Sequence, residues 1–386
     1  MTNVFDVCDL GAAGDGVTDS TAAFQRAIDL AGEVKGAVCV PPGKYICRAL
    51  RLRPSVCIFG FSGWGYRETG GSVISLGDTD SSSPCLFDLT GAHGARLRDL
   101  QLLGGHCAGE RTHAVYVGWD ERYTRQHDDP AREDNCLPED CQIGFREDSV
   151  TVEGVHIKNF SGDAVHLREI WGFTVRNCMM VGNRGNAVYV DGWDGWICDC
   201  IMHTNHGAGI FADKICAALT LTGNRIEWNR NGGINLVNAS SLNVTGNYFD
   251  RAFGPAITLR GVQFPCNNVT LTGNIFNRSG KYKPSFERDP YENSHLYFDN
   301  CQNIAICGNT FLTGRDDFGE SPFSPDYGIV MHRLCSCAFT GNTMYGGAMK
   351  EKIVDLGEHT GENTIYANAG VAPTTKDEKP GNGTYT

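Results

Sequence analysis

Hydrophobic and polar residues alternate along this chain in short runs, and the runs return at a nearly fixed interval. TLTGNRIEWNRNGGINL is followed by NVTGNYFDRAFGPAITL, then by TLTGNIF, AICGNTF and AFTGNTM. Aligned on the G-N-x-[IFM] core, Cys178, Cys200, Asn224, Asn247, Asn274, Asn309 and Asn342 share one column, at spacings of 22, 24, 23, 27, 35 and 33 residues. Period-2 alternation predicts strands with one apolar face. The shorter spacings are too small for a propeller blade and fit one coil of a parallel β-helix. No single coil buries its own apolar face, whereas coils stacked about 4.8 Å apart bury one another's. The longer spacings are a coil plus an inserted loop. Asparagine suits the turn between strands, because it tolerates a left-handed backbone and bonds to equivalent amides above and below. The sequence therefore predicts an all-β protein, a right-handed single-stranded parallel β-helix.

The opening departs from this pattern. GAAGDGVTDSTAAFQRAIDLAGEVKGAVCVPPGKY reads as a loop, an amphipathic helix from about Ser20 to Ala31, and a strand. Asp19 or Ser20 is placed to N-cap the helix. Ala23, Phe24, Ala27, Ile28 and Ala31 form an apolar stripe suited to cover the first coil, since a solenoid needs a lid at its end. We expect one β-helix domain over residues 1–371, with 1–50 as the N-terminal capping region. Residues 372–386, rich in Pro, Thr, Lys and Gly, read as a flexible tail.

The net charge is −12 over 386 residues, and no stripe of Lys and Arg stands out. That argues against a nucleic-acid partner and fits a neutral sugar better than a polyanion. The 17 cysteines are odd in number and many lie inside repeats, as Cys178, Cys198, Cys200, Cys301, Cys307, Cys335 and Cys337 do. No CxxC pairs occur at zinc spacing, no apolar run reaches about 18 residues, and MTNVFDVCDL lacks the look of a secretory leader. We expect no membrane partner, a cytoplasmic location and free, core-filling thiols without disulfides. No cofactor and no metal are expected.

GAAGDGVTDSTAAFQRAI followed by VPPGKY resembles the opening of the pectate-lyase-like β-helix superfamily, which includes lyases, glycoside hydrolases, epimerases and tailspikes. The succession NCMMVGNRGNAVYV, CIMHTNHGAGIF, NYFDRAFGPAITL and NIFNRSGKYKPSFERDPYENSHLYF is similar in rung order and loop placement to inulin fructotransferases and difructose-anhydride hydrolases. The resemblance implies a sugar substrate and a homo-oligomer, a trimer first. That family's catalytic acid falls at Ala208 here, so the resemblance carries architecture and substrate class but not the reaction. It also implies that Asp15 and Asp19 are structural turn and cap residues.

Insertions mark the functional face. The chain leaves its repeat at Arg122–Gln142, Lys281–Asn293 and Arg315–Asp326, beside equivalent strands, and such loops commonly wall a groove. One outward column of that sheet is Tyr116, His166, Tyr189, Phe211, Asn235, Thr258 and Tyr297. The next is Arg168, Asp191, Asp213, Val237, Arg260, Asp299 and His332. Aromatic rungs beside charged rungs suit sugars, which stack on rings and bond carboxylates and guanidinium groups.

Asp191 and Asp213, on adjacent coils, are the first catalytic pair, because glycosidases need two nearby carboxylates with one pKa raised. Glu227 and Asp250 form a second pair just before the strand, and Asp163 is a lone third candidate. His166, Arg168, Tyr189, Trp193, Phe211, Asn235, Arg260, Arg288, Asp299 and His332 are expected to bind substrate, with Trp119 and Trp196 as further platform rings. Solvated sheet residues, turn capping and subunit salt bridges account for the same charges in a non-catalytic protein. The leading expectation is an intracellular enzyme that cleaves or transfers a glycosidic bond in a small sugar or oligosaccharide. The alternatives are a β-eliminating lyase on a uronate, with His166, Arg168 or Arg260 as base, and a non-catalytic sugar-binding β-helix.

Overall fold

The computed structural model describes residues 3–66, 70–77, 84–105, 111–118, 147–280, 289–314 and 324–371. They fall into two compact units: an N-terminal one of Met1–Met179 with Val190–Gly195, and a C-terminal one of Met180–Tyr189 with Trp196–Thr386.

In the N-terminal unit three stacks of parallel strands recur coil after coil. One comprises Val4–Asp6, Ala37–Cys39, Cys57–Phe59, Arg96–Arg98 and Glu147–Glu153. A second comprises Asp15–Asp19, Gly43–Cys47, Ser72–Leu76, Gln101–Leu103 and His156–Lys158. The third comprises Leu50–Arg51, Cys85–Asp88, His113–Val117 and Val165–Arg176. The helix spans Thr21–Val34 and buries Phe24, Ala27, Ile28 and Ala31, the apolar stripe of the sequence. It runs three residues past the expected end, to Lys35 in the left-handed region. Gly32 permits this, because a Cβ there would lie 2.8 Å from the Arg53 side chain. Ser20 makes no side-chain cap; its hydroxyl bridges back to Ala13, while Asp19 accepts the Thr21 N–H.

The C-terminal unit repeats the arrangement. Ile201–His203, Arg225–Glu227, Tyr248–Asp250, Ile275–Asn277, Thr310–Leu312 and Thr343–Gly346 pair in parallel. So do Cys216–Thr222, Ala239–Thr245, Cys266–Thr272 and the end of Ser294–Cys307, followed by Ala338–Thr340 and Thr364–Tyr366. At the turn between these stacks stands the expected asparagine column. The Nδ2 groups of Asn224, Asn247, Asn274 and Asn309 each donate to the Oδ1 of the next member, at 3.0, 3.0, 3.0 and 2.9 Å. Asn342 continues the row to Asn368, beyond the repeat the sequence revealed. A second row, Asn183 to Asn205 to Asn229, runs along another turn.

Eight cysteines among the described residues are buried in the core, whereas Cys8 and Cys307 are exposed. The fourteen cysteines among the described residues are free, and Cys266 and Cys301 stand in register. Phe249, Phe276 and Phe311 stack at 5.1 and 4.9 Å, and His295 is wedged against the last two. The nitrogens of this fully buried ring make no hydrogen bond of good geometry. Burial pushes its pKa from 6.5 down to about 3, and the Leu312 backbone opposes only part of that. The unfolded chain therefore binds this proton at a higher pH than the folded one. The associated stability is complete above pH 6.5 and is lost as pH falls from there toward 3. We expect His295→Phe to lose about 3 kcal/mol less stability than the parent between pH 7.5 and 4.5. Urea midpoints at the two pH values check this; equal losses would refute it.

Candidate active site

In the N-terminal unit, Phe87, Val115 and Val165 are in register and fully buried. Strand alternation then turns Asp88, Tyr116 and His166 outward in one row, which the register confirms. Arg168 follows two residues later on the same face. The approach to this strand is held tightly: Gly162 N–H donates to the Thr112 carbonyl and Ala114 N–H to the Asp163 carbonyl. A Cβ at Gly162 would lie 2.7 Å from His113 Nδ1, so a larger residue would push the two segments apart.

This packing leaves Asp163 with no exposed surface. Its Oδ2 lies 2.7 Å from His166 Nδ1, and its Oδ1 accepts from Arg111 at 3.1 Å. An ionised carboxylate only accepts, so His166 carries a proton on Nδ1 and its Nε2 is the basic nitrogen. His113 has the opposite tautomer: its Nδ1 accepts the Asp163 backbone N–H at 2.9 Å. Burial pushes the His113 pKa down to about 4 against the pull of Asp163, which keeps this ring neutral near neutral pH. The His113 and His166 rings lie 4.2 Å apart, and Tyr116 is nearly parallel to His166 at 5.4 Å. Burial raises the Tyr116 pKa; Arg168, which hydrogen-bonds the phenol, lowers it. A histidine base backed by a buried carboxylate thus stands beside a phenol and two guanidinium groups. That set is equipped to take a proton from carbon next to a carboxylate whose charge the arginines balance.

Among the described residues, His113, Asp163 and His166 are the grouping whose donor atoms all lie within 4.8 Å. Two of their nitrogens are engaged within the protein: His113 Nδ1 accepts the Asp163 N–H and His166 Nδ1 bonds Oδ2, while the two rings meet at a 32° tilt.

Of the residues singled out from sequence, Asp163, His166 and Arg168 meet here. Arg111 and His113 had not been recognised; the one signal was a histidine opening the strand that precedes the longest insertion. Asp191 and half-buried Trp193 belong to the N-terminal unit, on the strand Val188–Cys198. Asp213 belongs to the C-terminal unit, exposed just past Ile210–Ala212, where it accepts the Tyr189 hydroxyl at 2.8 Å.

In the C-terminal unit, Tyr189, Phe211, Asn235, Thr258 and Tyr297 are in register as expected, and so are Arg260, Asp299 and His332. Arg260 pairs with Glu292 and sits 4.9 Å over the Tyr297 ring. Asp299 accepts Arg333 on both oxygens at 2.8 Å and lies 3.0 Å from His332 Nδ1.

Glu227 and Asp250 are also in register and buried. Glu227 takes Arg225 Nε at 2.8 Å, whereas Asp250 is gripped by Arg278 at 2.9 and 2.7 Å and by Arg251. Burial raises the Asp250 pKa while these two arginines oppose it. Trp228, Arg251 and Arg278 are all left-handed at this corner, with φ of 57°, 53° and 49°, an unusual conformation for bulky side chains. Arg251 stacks 4.8 Å over Trp228. The corner is thereby pinned around Asp250. Arg288, Trp119, all of the loop Arg122–Gln142 and most of the other two loops lie outside the described residues.

Residues 142–284 match the family model described as right handed beta helix region. The chain is a right-handed parallel β-helix. Residues 4–64 of this β-helix match the model described as rhamnogalacturonase A/epimerase, pectate lyase-like. Solved structures with the same fold include the catalytic unit of an α-1,3-glucanase from Streptomyces thermodiastaticus, 17% identical, with a TM-score of 0.64 over 95% of this chain and 68% of that one. DFA-IIIase from Arthrobacter chlorophenolicus is 12% identical, with a TM-score of 0.63 over 94% and 93% of the two chains. The A-module of a mannuronan C-5 epimerase from Azotobacter vinelandii is 17% identical, with a TM-score of 0.53 over 96% and 100%.

Proposed function

We propose that this β-helix is a carbohydrate-active enzyme that cleaves a glycosidic linkage at the face bearing Asp163 and His166. Proteins of the same fold named for action on glucan, mannuronan and DFA-III support the substrate class. The observation that carries the reading is the 2.7 Å contact between buried Asp163 and His166, flanked by Arg111 and Arg168. Asp163 is enclosed and already bonded, so it suits orienting a base rather than attacking a sugar carbon.

The chemistry this favours is β-elimination on an acidic sugar. His166 Nε2 takes the proton on the carbon bearing the carboxylate, whose charge Arg168 and Arg111 balance. The freed electron pair forms a carbon–carbon double bond, the glycosidic C–O bond breaks, and Tyr116 returns a proton to the leaving oxygen. Glu227 and Asp250 favour a second reading, hydrolysis or transfer, because carboxylates one strand spacing apart suit a retaining mechanism. A cytoplasmic, homo-oligomeric protein remains part of the proposal.

The two chemistries leave different products. We expect uronate oligosaccharides to gain the ultraviolet absorbance of a conjugated double bond, with that signal lost in His166→Gln and kept in Glu227→Gln. New reducing ends without absorbance, abolished by Glu227→Gln and kept in His166→Gln, would establish the second reading instead.

A further inference from the structure

We infer that His113 is a positioning residue for the Asp163–His166 pair, fixing the carboxylate through the Asp163 backbone and the second imidazole by close ring contact. The inference rests on the proposed role of that pair. Three observations converge on it. His113 Nδ1 accepts the Asp163 N–H at 2.9 Å, which ties the residue carrying the carboxylate to the preceding coil. Its ring lies 4.2 Å from His166 and 5.9 Å from Tyr116, so three rings brace one another. Gly162, next to Asp163, lacks the Cβ that would stand 2.7 Å from His113 Nδ1.

The neighbours of His113 also keep this ring neutral. Burial disfavours a proton on it, His166 and Arg111 add to that, and together they outweigh the pull of Asp163, with a pKa of about 4 as the result. Tyr116, on the same strand, and Cys85, its register partner, add no cation. Two imidazolium rings so close would repel, so a neutral His113 leaves His166 as the ring that exchanges protons with substrate. His113 therefore acts as a fixed acceptor and brace, although its type and place make it look like an acid or base.

The test compares His113→Phe, which keeps a ring and loses the acceptor, with His113→Asn, whose amide oxygen replaces Nδ1. For Phe we expect kcat to fall about 10- to 100-fold with KM nearly unchanged, and the pH–rate profile to move by at least about half a unit. Asn should restore most of kcat and the parent profile. Hydrogen exchange at the Asp163 amide should quicken in Phe and not in Asn, and the His113 ring signals should stay constant from pH 8 to about 5.5. If His113→Phe fails to fold, Gly162→Ala displaces the same ring and takes the same measurements. Parent kcat and profile in the Phe variant, or titration of His113 above about pH 5.5, would overturn the inference. Should His166→Gln keep full activity, the pair's catalytic role fails, while the amide exchange and ring titration still report on His113 independently.

Discussion

His166→Gln should lower kcat on the natural substrate by about a thousandfold, with KM within a few-fold of the parent, because general acid–base transfer contributes roughly 10²–10⁴. Glutamine keeps a polar side chain of similar reach but has no basic nitrogen to accept the substrate proton. Asp163→Asn should cost less, about a hundredfold. The amide fits the same enclosed space, yet it no longer holds a proton on His166 Nδ1, 2.7 Å away, and it releases Arg111. The two changes act on one proton, so the double variant should be little worse than His166→Gln alone. Steady-state rates with circular dichroism to confirm folding decide the matter. Activity within tenfold of the parent in folded His166→Gln would remove the pair from the mechanism.

The second large effect concerns stability. Asn274 accepts from the backbone N–H and the Nδ2 of Asn247, at 2.9 and 3.0 Å, and donates to Val244 O and Asn309 Oδ1, at 2.9 and 3.0 Å. Asn274→Leu has nearly the right volume and takes these partners from the Asn247 N–H and the Val244 carbonyl, while Asn247 Nδ2 keeps the Leu221 carbonyl and Asn309 Oδ1 keeps the Asn274 N–H. Each unsatisfied buried group costs about 1–3 kcal/mol, and partial relaxation will recover some of it, so a loss of about 4 kcal/mol is expected. Asn243→Ala, at an exposed position one coil earlier, should change stability by less than about 0.5 kcal/mol. Denaturant melts of both variants provide the check, and a loss under about 1 kcal/mol for Asn274→Leu would show that the column is not what holds these coils.

The repeat made the fold legible. A period near 23 residues and a recurring G-N fix where each coil turns, and the outward rows Tyr189–Phe211–Asn235–Thr258–Tyr297 and Arg260–Asp299–His332 followed from alternation alone. Asn205, Asn229 and Asn368 have no glycine before them, and Gly182–Asn183 lacks the apolar residue two positions on, so these amides share the chemistry but not the full G-N-x-[IFM] signature.

The site was harder to read. Columns show which residues share a face, but not which lie close enough to exchange a proton. Asp163 and His166 are three residues apart in sequence, and the glycine that recurs before each strand, Gly162 here, does not show that the carboxylate beside it turns against the ring. Arg111 and His113 enter from the previous coil, about fifty residues earlier, across the longest insertion, where counting coils gives no register. Charge patterning also could not show that Asp250 is clasped by two arginines, one of them from the following coil.

The asparagine column has a direction. In every link from Asn224 to Asn368 the amide NH₂ points to the following coil and the oxygen to the preceding one. Side-chain dipoles aligned in this way add along the stack as peptide dipoles do along a helix. The negative end is at Asn224, whose oxygen takes the Cys200 backbone N–H, and the positive end is at Asn368, whose NH₂ turns to the Phe339 carbonyl. The two ends of the row are therefore not equivalent. Removing the last coil takes away the acceptor for two donors of Asn342, whereas removing the first leaves an oxygen with lone pairs to spare. Loss of coils should thus be harsher from the C-terminal side, and a cation should be less welcome there than at the other end.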